Sequence, residues 1–338
     1  MEYAATRMAL ASLPARWRIS RTQAAVLLGA FLSLSGCDGR WTPPGPGTDD
    51  DCVGTRCGTP EPPDSALEGS VRIAAYNVQR FFDTVCDSGA CGGSNYEALP
   101  TPSEFGMKAD RLASAISRLN ADVVLLAEVE TQASLDALTS RLPRFGYAEL
   151  GETGAPASVD VAVISVHPIT RVRGHRHRPL WRPDGTETRF ARELLEVHLD
   201  VEGKQVIVFS AHFRSKSSDD PGRRFAEADA ARDIIAGVAQ ATPNALVVLG
   251  GDLNDVPGSE PIQALERDGA LLRVASDRPD DETWTYSFYG ERQAIDHLYL
   301  ARGGGAYVPG SFRAMRDPRG GYGGSDHAAV YADFMPAP

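Results

Sequence analysis

The chain is 338 residues long, enough for two domains or one large α/β domain. Its 42% hydrophobic and 23% charged content is that of a globular protein and excludes a wholly disordered chain. With 34 Lys and Arg against 45 Asp and Glu, the net charge of −11 excludes a surface that is one electrostatic trap for nucleic acid, while leaving room for a local basic site.

The first segment has the pattern of a targeting signal. Arg16, Arg18 and Arg21 precede an apolar run over 24–34 that is too short to span a bilayer comfortably, and Leu34-Ser35-Gly36-Cys37 follows. Small residues before a Cys at the expected cleavage point resemble the lipobox of bacterial lipoproteins, whose Cys is lipidated and becomes the mature N-terminus. The expectation is a lipoprotein signal peptide over 1–36, lipidation at Cys37, and a chain anchored to a membrane of the cell envelope, facing the periplasm or the cell surface. An ordinary secreted protein is the alternative. Residues 37–69 are rich in Pro, Gly, Thr and Asp and suit a flexible tether. Four further cysteines remain, an even number suited to an oxidising compartment. Cys52 and Cys57, and again Cys86 and Cys91, are spaced C-x4-C, so two local bridges are the preferred connectivity. Zinc is the competing use, but its thiolate sites usually have C-x2-C spacing or His partners nearby.

The folded domain is expected over 70–336. The apolar, β-rich run 71–78 predicts a buried strand with Asn77 at its end. Ala109, Leu112, Ala113, Ile116 and Leu119 recur at helical spacing on one face, which predicts a helix over 107–119 that stops at Asn120. Strands are expected over 122–130, 159–166, 189–199 and 205–212. A second helix over 221–240 starts at a Pro and carries Phe225, Ala228, Ile234, Ile235 and Val238. Strands over 245–251, 295–300 and 328–334 complete the set. Strands within 159–212 follow one another as hairpins do, so the pattern predicts a mixed-sheet sandwich with outer helices in place of a doubly wound sheet.

The polar residues of note stand at strand ends. Asn77, Glu128, His212, Asp252, Asn254, Asp296, Asp326 and His327 each terminate an apolar strand or lie just beyond one. Strand ends converge in space, so such groups can form one site on a rigid scaffold. Singly each is an ordinary cap or turn residue, and Gly250-Gly251-Asp252-Leu253-Asn254 alone is compatible with an Asx-type turn. Their joint occurrence in order carries the argument.

On Tyr76-Asn77-Val78, Ala127-Glu128-Val129, Ser210-Ala211-His212, Gly251-Asp252-Leu253-Asn254, Ile295-Asp296-His297 and Ser325-Asp326-His327, the chain resembles the endonuclease/exonuclease/phosphatase superfamily, that of pancreatic-type deoxyribonuclease. The resemblance covers nearly all of 70–336. It implies a four-layer α/β sandwich, two mixed sheets flanked by helices. It also implies that Asn77, Glu128 and Asp326 belong to a metal site, and an all-oxygen set of this kind suits Mg2+, with Mn2+ or Ca2+ as alternatives. By the same resemblance Asp252 activates the attacking water and Asn254 donates to the phosphoryl oxygens. His327, held by Asp296, contacts the scissile phosphate. His212 corresponds to the second histidine of the pancreatic-type nucleases, with Asp160 in the place of the carboxylate that pairs with it. Arg192 resembles an arginine that meets substrate phosphate, and a surface ion pair is the bland alternative. His297 should point to the opposite face of its strand from Asp296 and be structural.

Positive charge is concentrated over 171–192, where Arg171, Arg173, Arg176, Arg178, Arg182 and Arg189 precede Arg192. A cationic rim on an acidic body suits a polyanion, and Arg forks bind phosphate bidentately. The expectation is a monomeric, metal-dependent phosphodiesterase acting on nucleic acid. A phosphatase or lipid phosphodiesterase of the same superfamily, entering a bilayer through Trp181, Trp284, Phe288 or Tyr289, is the nearest alternative. A non-catalytic binding module is a third.

Overall fold

The structure, a computed structural model, describes residues 66–338 apart from Arg319 and the side chain of Ser218. Cys37, Cys52, Cys57, the expected signal peptide and most of the expected tether lie outside the described residues. The chain opens with strand β1 (Val71–Phe81), helix α1 (Pro102–Leu119), β2 (Val123–Val129), α2 (Gln132–Thr139), β3 (Tyr147–Gly151), β4 (Asp160–Ser165) and β5 (Ile169–Gly174). The short pair β6 (Leu180–Trp181) and β7 (Glu187–Thr188) leads to β8 (Leu195–Val201), β9 (Lys204–His212), α3 (Pro221–Ala241) and β10 (Leu246–Asp252). There follow α4 (Glu260–Glu266), β11 (Leu271–Arg273), α5 (Asp280–Thr283), the hairpin of β12 (Tyr286–Phe288) and β13 (Glu291–Gln293), and β14 (Asp296–Ala301). The last strands are β15 (Ala306–Tyr307), β16 (Arg313–Met315) and β17 (Ala329–Met335).

One sheet runs β15-β17-β1-β2-β4-β3, with β16 also on β17; the other runs β11-β14-β10-β9-β8-β5. Strand alternation assigns each side chain to a layer. Ile73, Ala75, Leu125 and Val163 of the first sheet meet Val197, Val208, Val248 and Leu298 of the second in the central core. Tyr76, Leu126, Ala162 and Ile164 face the opposite way, against Leu112, Ile116 and Leu135 of α1 and α2. Phe209, Val247 and Tyr299 face Ala228, Ile235 and Ile262 of α3 and α4. Helices, sheet, sheet, helices: this is the four-layer α/β sandwich. Leu112, Ile116 and Leu119 are fully excluded from solvent, and each such side chain stabilises the fold by roughly 2 kcal/mol.

Helix α1 starts earlier than its apolar spacing suggests. Thr101 and Glu104 form a capping box, with Thr101 N donating to Glu104 Oε2 at 2.8 Å, and Pro102 occupies the first turn. That turn is exposed, so no hydrophobic period marks it. Asn120 ends the helix at φ 48°. The strand expected over 189–199 begins only at Leu195. Before it, the Ala191 N–H is taken by the buried carboxylate of Glu227 at 2.7 Å, a side chain standing in for a sheet neighbour. No helix among the described residues is long and apolar enough to cross a membrane. A disulfide joins Cys86 to Cys91, as the spacing suggested and against the zinc alternative.

Candidate active site

Strand parity brings the polar residues together. In β1, β9, β10 and β14 the side chains two, four and six positions from Asn77, His212, Asp252 and Asp296 lie in the central core or at its edge, so these four emerge between the sheets. Asp252 is the direct ladder partner of both His212 and Asp296. β1, β2, β9 and β10 end where the antiparallel strands β14 and β17 begin, which adds Glu128 and His327 to the same rim. Regular alternation would turn Glu128 toward α1. A bulge between Ala127 and Val129, with Glu128 at φ 68°, gives Val129 the outer-core position and swings the carboxylate to the sheet junction. Gly251 makes the approach of β10 to β9 feasible: at φ 142° a Cβ there would lie 1.9 Å from the Ala211 carbonyl oxygen.

The contacts are close. The Asn77 amide donates to Asp252 Oδ2 at 3.0 Å and to Glu128 Oε1 at 3.2 Å. Glu128 Oε2 accepts from the Arg80 backbone N–H at 2.6 Å, and Asn77 Oδ1 from the Gln79 N–H at 2.9 Å. Gln79 and Arg80 both have positive φ, which turns successive N–H groups into the site. Asp252 Oδ1 accepts from Asn254 N at 2.9 Å. His327 Nδ1 lies 2.8 Å from Asp296 Oδ2, while its Nε2 is 3.9 Å from Asp252 Oδ2 and 4.0 Å from Asp326 Oδ1. His212 Nε2 is 3.6 Å from Asp252 Oδ2 and 3.9 Å from Glu128 Oε1.

Electrostatics sort these groups into roles. Burial pushes the Asp252 carboxyl up to about 7, with Asp296 adding to the rise and His327 opposing it. Burial by itself would lower His327, but the charge and hydrogen bond of Asp296, helped by Asp252 and Asp326, carry it up to about 10. It is therefore an imidazolium at neutral pH. His212 goes the other way: burial, then Arg192 and His327, hold it well below the ordinary range and hence neutral. Burial also raises Asp326, His327 opposes, and Glu128 adds to the rise, so these two carboxylates face a common space.

That space suits a hard divalent cation. Glu128 and Asp326 offer carboxylate oxygens, the charge of Glu128 adding to the rise of Asp326, and Asn77 stands beside them with its amide N–H on Glu128 and its Oδ1 on the Gln79 N–H. A tighter trio, Asp252, Asp296 and His327, has ligand atoms within 4.8 Å of one another. Its His327–Asp296 hydrogen bond already uses those donors, so the open Glu128–Asp326 side is the better fit.

Two expectations are corrected. Asp160 does not pair with His212: it shares parity with Ala162 and Ile164 on the helix-facing side of its sheet, whereas His212 faces the central layer. Its carboxylate takes Ser158 Oγ–H at 2.8 Å and Thr153 N–H at 3.1 Å, and His212 Nδ1 has no hydrogen-bond partner. Nor do Arg171 and Arg173 rim the site. They lie on edge strand β5, with β8 and β9 between them and β10, about 14 Å away at ordinary strand spacing. Arg192 does reach it. It donates to the Phe213 carbonyl at 3.1 Å, as Asn254 does at 3.2 Å, and makes no surface ion pair among the described residues. His297 points away from the site and lies 2.9 Å from the Asp255 carbonyl, a structural position.

Supporting residues escaped the sequence. Thr285 Oγ1 accepts from Ile295 N and Asp296 N, both at 3.1 Å, and Ser325 Oγ donates to the Asn77 carbonyl at 2.7 Å. The Tyr286 ring lies against His327, centroids 4.9 Å apart and tilted by 33°. Lys108 donates to the Gln79 and Arg80 carbonyls, bracing the turn whose N–H groups hold Asn77 and Glu128. A cation on an otherwise amphipathic helix was the only signal for Lys108, and it is a weak one.

The fold is shared with solved structures. TDP2 from Caenorhabditis elegans superposes with a TM-score of 0.57 at 17% identity, over 78% of this chain and 74% of that one. Zebrafish (D. rerio) TDP2 complexed with single-strand DNA product gives 0.56 at 17%, over 79% and 99%. The human Nocturnin catalytic domain with bound sulfate gives 0.55 at 17%, over 80% and 95%. At such identities the likeness is one of fold. No curated protein sequence matches the chain. Residues 74–327, from β1 to the His327 that closes the site, match one sequence family, and by that match the chain belongs to the endonuclease/exonuclease/phosphatase family.

Proposed function

We propose that the chain is a metal-dependent phosphodiesterase that hydrolyses nucleic acid by attack of a water activated by Asp252. The observation that supports this above others is the pairing, 3.9 Å apart, of a carboxylate raised to about 7 with an imidazolium raised to about 10. A proton acceptor and a proton donor thus stand side by side at one rim, where both can reach one phosphate. Asp252, fixed by Asn77 and Asn254, takes the proton of the attacking water. His327 donates through Nε2 to a non-bridging oxygen or to the leaving oxygen. The second amide hydrogen of Asn254 adds a donor to the developing charge. His212, neutral and buried, orders the floor of the site and does not carry the proton. A divalent cation, Mg2+ above others, held by Glu128 and Asp326 with Asn77 beside them, supplies positive charge to the phosphate oxygens.

Nucleic acid is favoured because the folds similar to this one include TDP2 bound to a single-strand DNA product, and because Arg192 sits beside His212 at the rim. A lipid phosphodiesterase is the second reading, supported by the hairpin of β12 and β13. There Tyr286 packs against His327, and Phe288 and Tyr289 are 52% and 95% exposed at the tip. One panel separates these. The full chain is assayed on plasmid DNA, RNA, an aryl phosphodiester, an inositol phosphate and sphingomyelin, with and without Mg2+. Cleavage of DNA or RNA and of the aryl diester is expected. Turnover of sphingomyelin alone would favour the second reading, and none of any substrate would leave a binding module.

The proposal includes a lipid anchor on Cys37 at the cell envelope. Incorporation of a labelled fatty acid into the wild-type chain, lost in Cys37→Ala, is expected; equal labelling of both would overturn it.

A further inference from the structure

Beside the site lies a cavity of about 250 Å3 that none of the catalytic groups uses, between the first half of α1 and the turn after β1. Arg80, Lys108 and Arg111 line it, with Phe82 and Phe105 as an apolar wall and Gly324 at its mouth. Gly324 also borders the hollow that holds Asp326, so the two spaces adjoin. The cavity is short of negative charge. Its one carboxylate, Glu104, is occupied by Thr101, whose N–H and hydroxyl both donate to Oε2 at 2.8 Å. The Arg111 guanidinium makes no hydrogen bond or ion pair among the described residues. Arg80 has only the Tyr96 ring, 4.6 Å from its guanidinium carbon. Burial lowers Lys108 to about 8, Glu128 and Asp326 oppose the fall, and Arg111 and Arg80 add to it. On a chain of net charge −11, two of these converging cations, Arg80 and Arg111, lack a carboxylate partner among the described residues, which marks a place for an anion from outside.

We propose that this cavity binds a second phosphate group of the substrate, adjacent to the phosphate being hydrolysed, through Arg80, Lys108 and Arg111. The inference rests on the phosphodiesterase reading above. Two guanidinium forks and an ammonium match the oxygens of one phosphate. The same chemistry is offered by a nucleic-acid strand with a terminal phosphate and by an inositol bisphosphate. The chain therefore discriminates in favour of substrates with two phosphates in close sequence.

The test compares the full chain on a trinucleotide with a 5′-phosphate, the same trinucleotide with a 5′-hydroxyl, an inositol bisphosphate and the matching monophosphate. A preference of about ten-fold in kcat/KM for the doubly phosphorylated member of one pair is expected, carried by KM and falling toward unity in the double variant Arg80→Gln, Arg111→Gln. Which pair responds identifies the source of the phosphate. Hydrolysis of all four without preference, or a preference that survives in the double variant, would overturn the subsite while leaving the phosphodiesterase reading intact. Calorimetric titration with inorganic pyrophosphate tests the cavity without turnover. Binding weakened about ten-fold in the double variant supports the subsite even if no substrate is cleaved, and equal binding contradicts it.

Discussion

His327 and Asp296 are joined by a 2.8 Å hydrogen bond between Nδ1 and Oδ2, and both side chains are almost fully buried. The bond directs the Nε2 proton of His327 outward, toward Asp252 and the phosphoryl space. Asp296→Asn keeps the shape and removes the charge. Turnover is expected to fall roughly a hundred-fold, and the His327 imidazole to titrate well below about 10 in an NMR pH series. A His327 titration unmoved by the substitution would show that burial and the other carboxylates set its charge.

Asp252 and the cation site make separable demands. Asp252→Asn is expected to lose roughly a hundred- to ten-thousand-fold in kcat while circular dichroism and the melting temperature stay near wild type. Excess EDTA is expected to abolish hydrolysis by the wild-type chain, and added Mg2+ to restore it. Undiminished activity in EDTA would contradict the role given to Glu128 and Asp326.

The Cys86–Cys91 bridge closes a loop with a sequence separation of 5. Alkylation without reductant is expected to leave both thiols unmodified. Replacing both by Ser should cost about 2 kcal/mol, the chain-entropy value for so short a loop. A melting temperature unchanged by the double replacement would show that Glu97, which accepts from Asp87 N and Ser88 N, orders this turn unaided.

His297 couples stability to acid. Burial depresses its imidazole to about 4 against an ordinary 6.5, so between those values the unfolded chain binds a proton that the folded chain refuses. The stabilisation is complete above about 6.5 and is lost as pH falls toward 4, a change of about 3 kcal/mol. In His297→Gln this part of the pH dependence of urea unfolding should vanish. An unaltered slope between those limits would mean that the ring is protonated in the folded state.

What the sequence by itself determined is the layer order and the roll of groups at the strand ends. Alternation in β9 and β10 and the 3.6-residue period of α1 are local consequences of backbone geometry, and they carry Asn77, His212, Asp252 and Asp296 to one junction whatever surrounds them. Tertiary structure decided the rest. Glu128 reaches the site only because a bulge reverses its parity, and a bulge depends on the neighbouring strand. Asp160, at a comparable strand start with no such bulge, stays on the outer face. Charge followed the same division: the Arg-rich stretch is plain in the chain, yet its Arg171 and Arg173 lie on an edge strand, whereas Arg80, Lys108 and Arg111 are scattered in sequence and meet only where α1 packs over β1. Periodicity is a property of neighbours along the chain, but which faces meet is settled by strand pairing across tens or hundreds of residues, and the chemistry of this protein lies at those meetings.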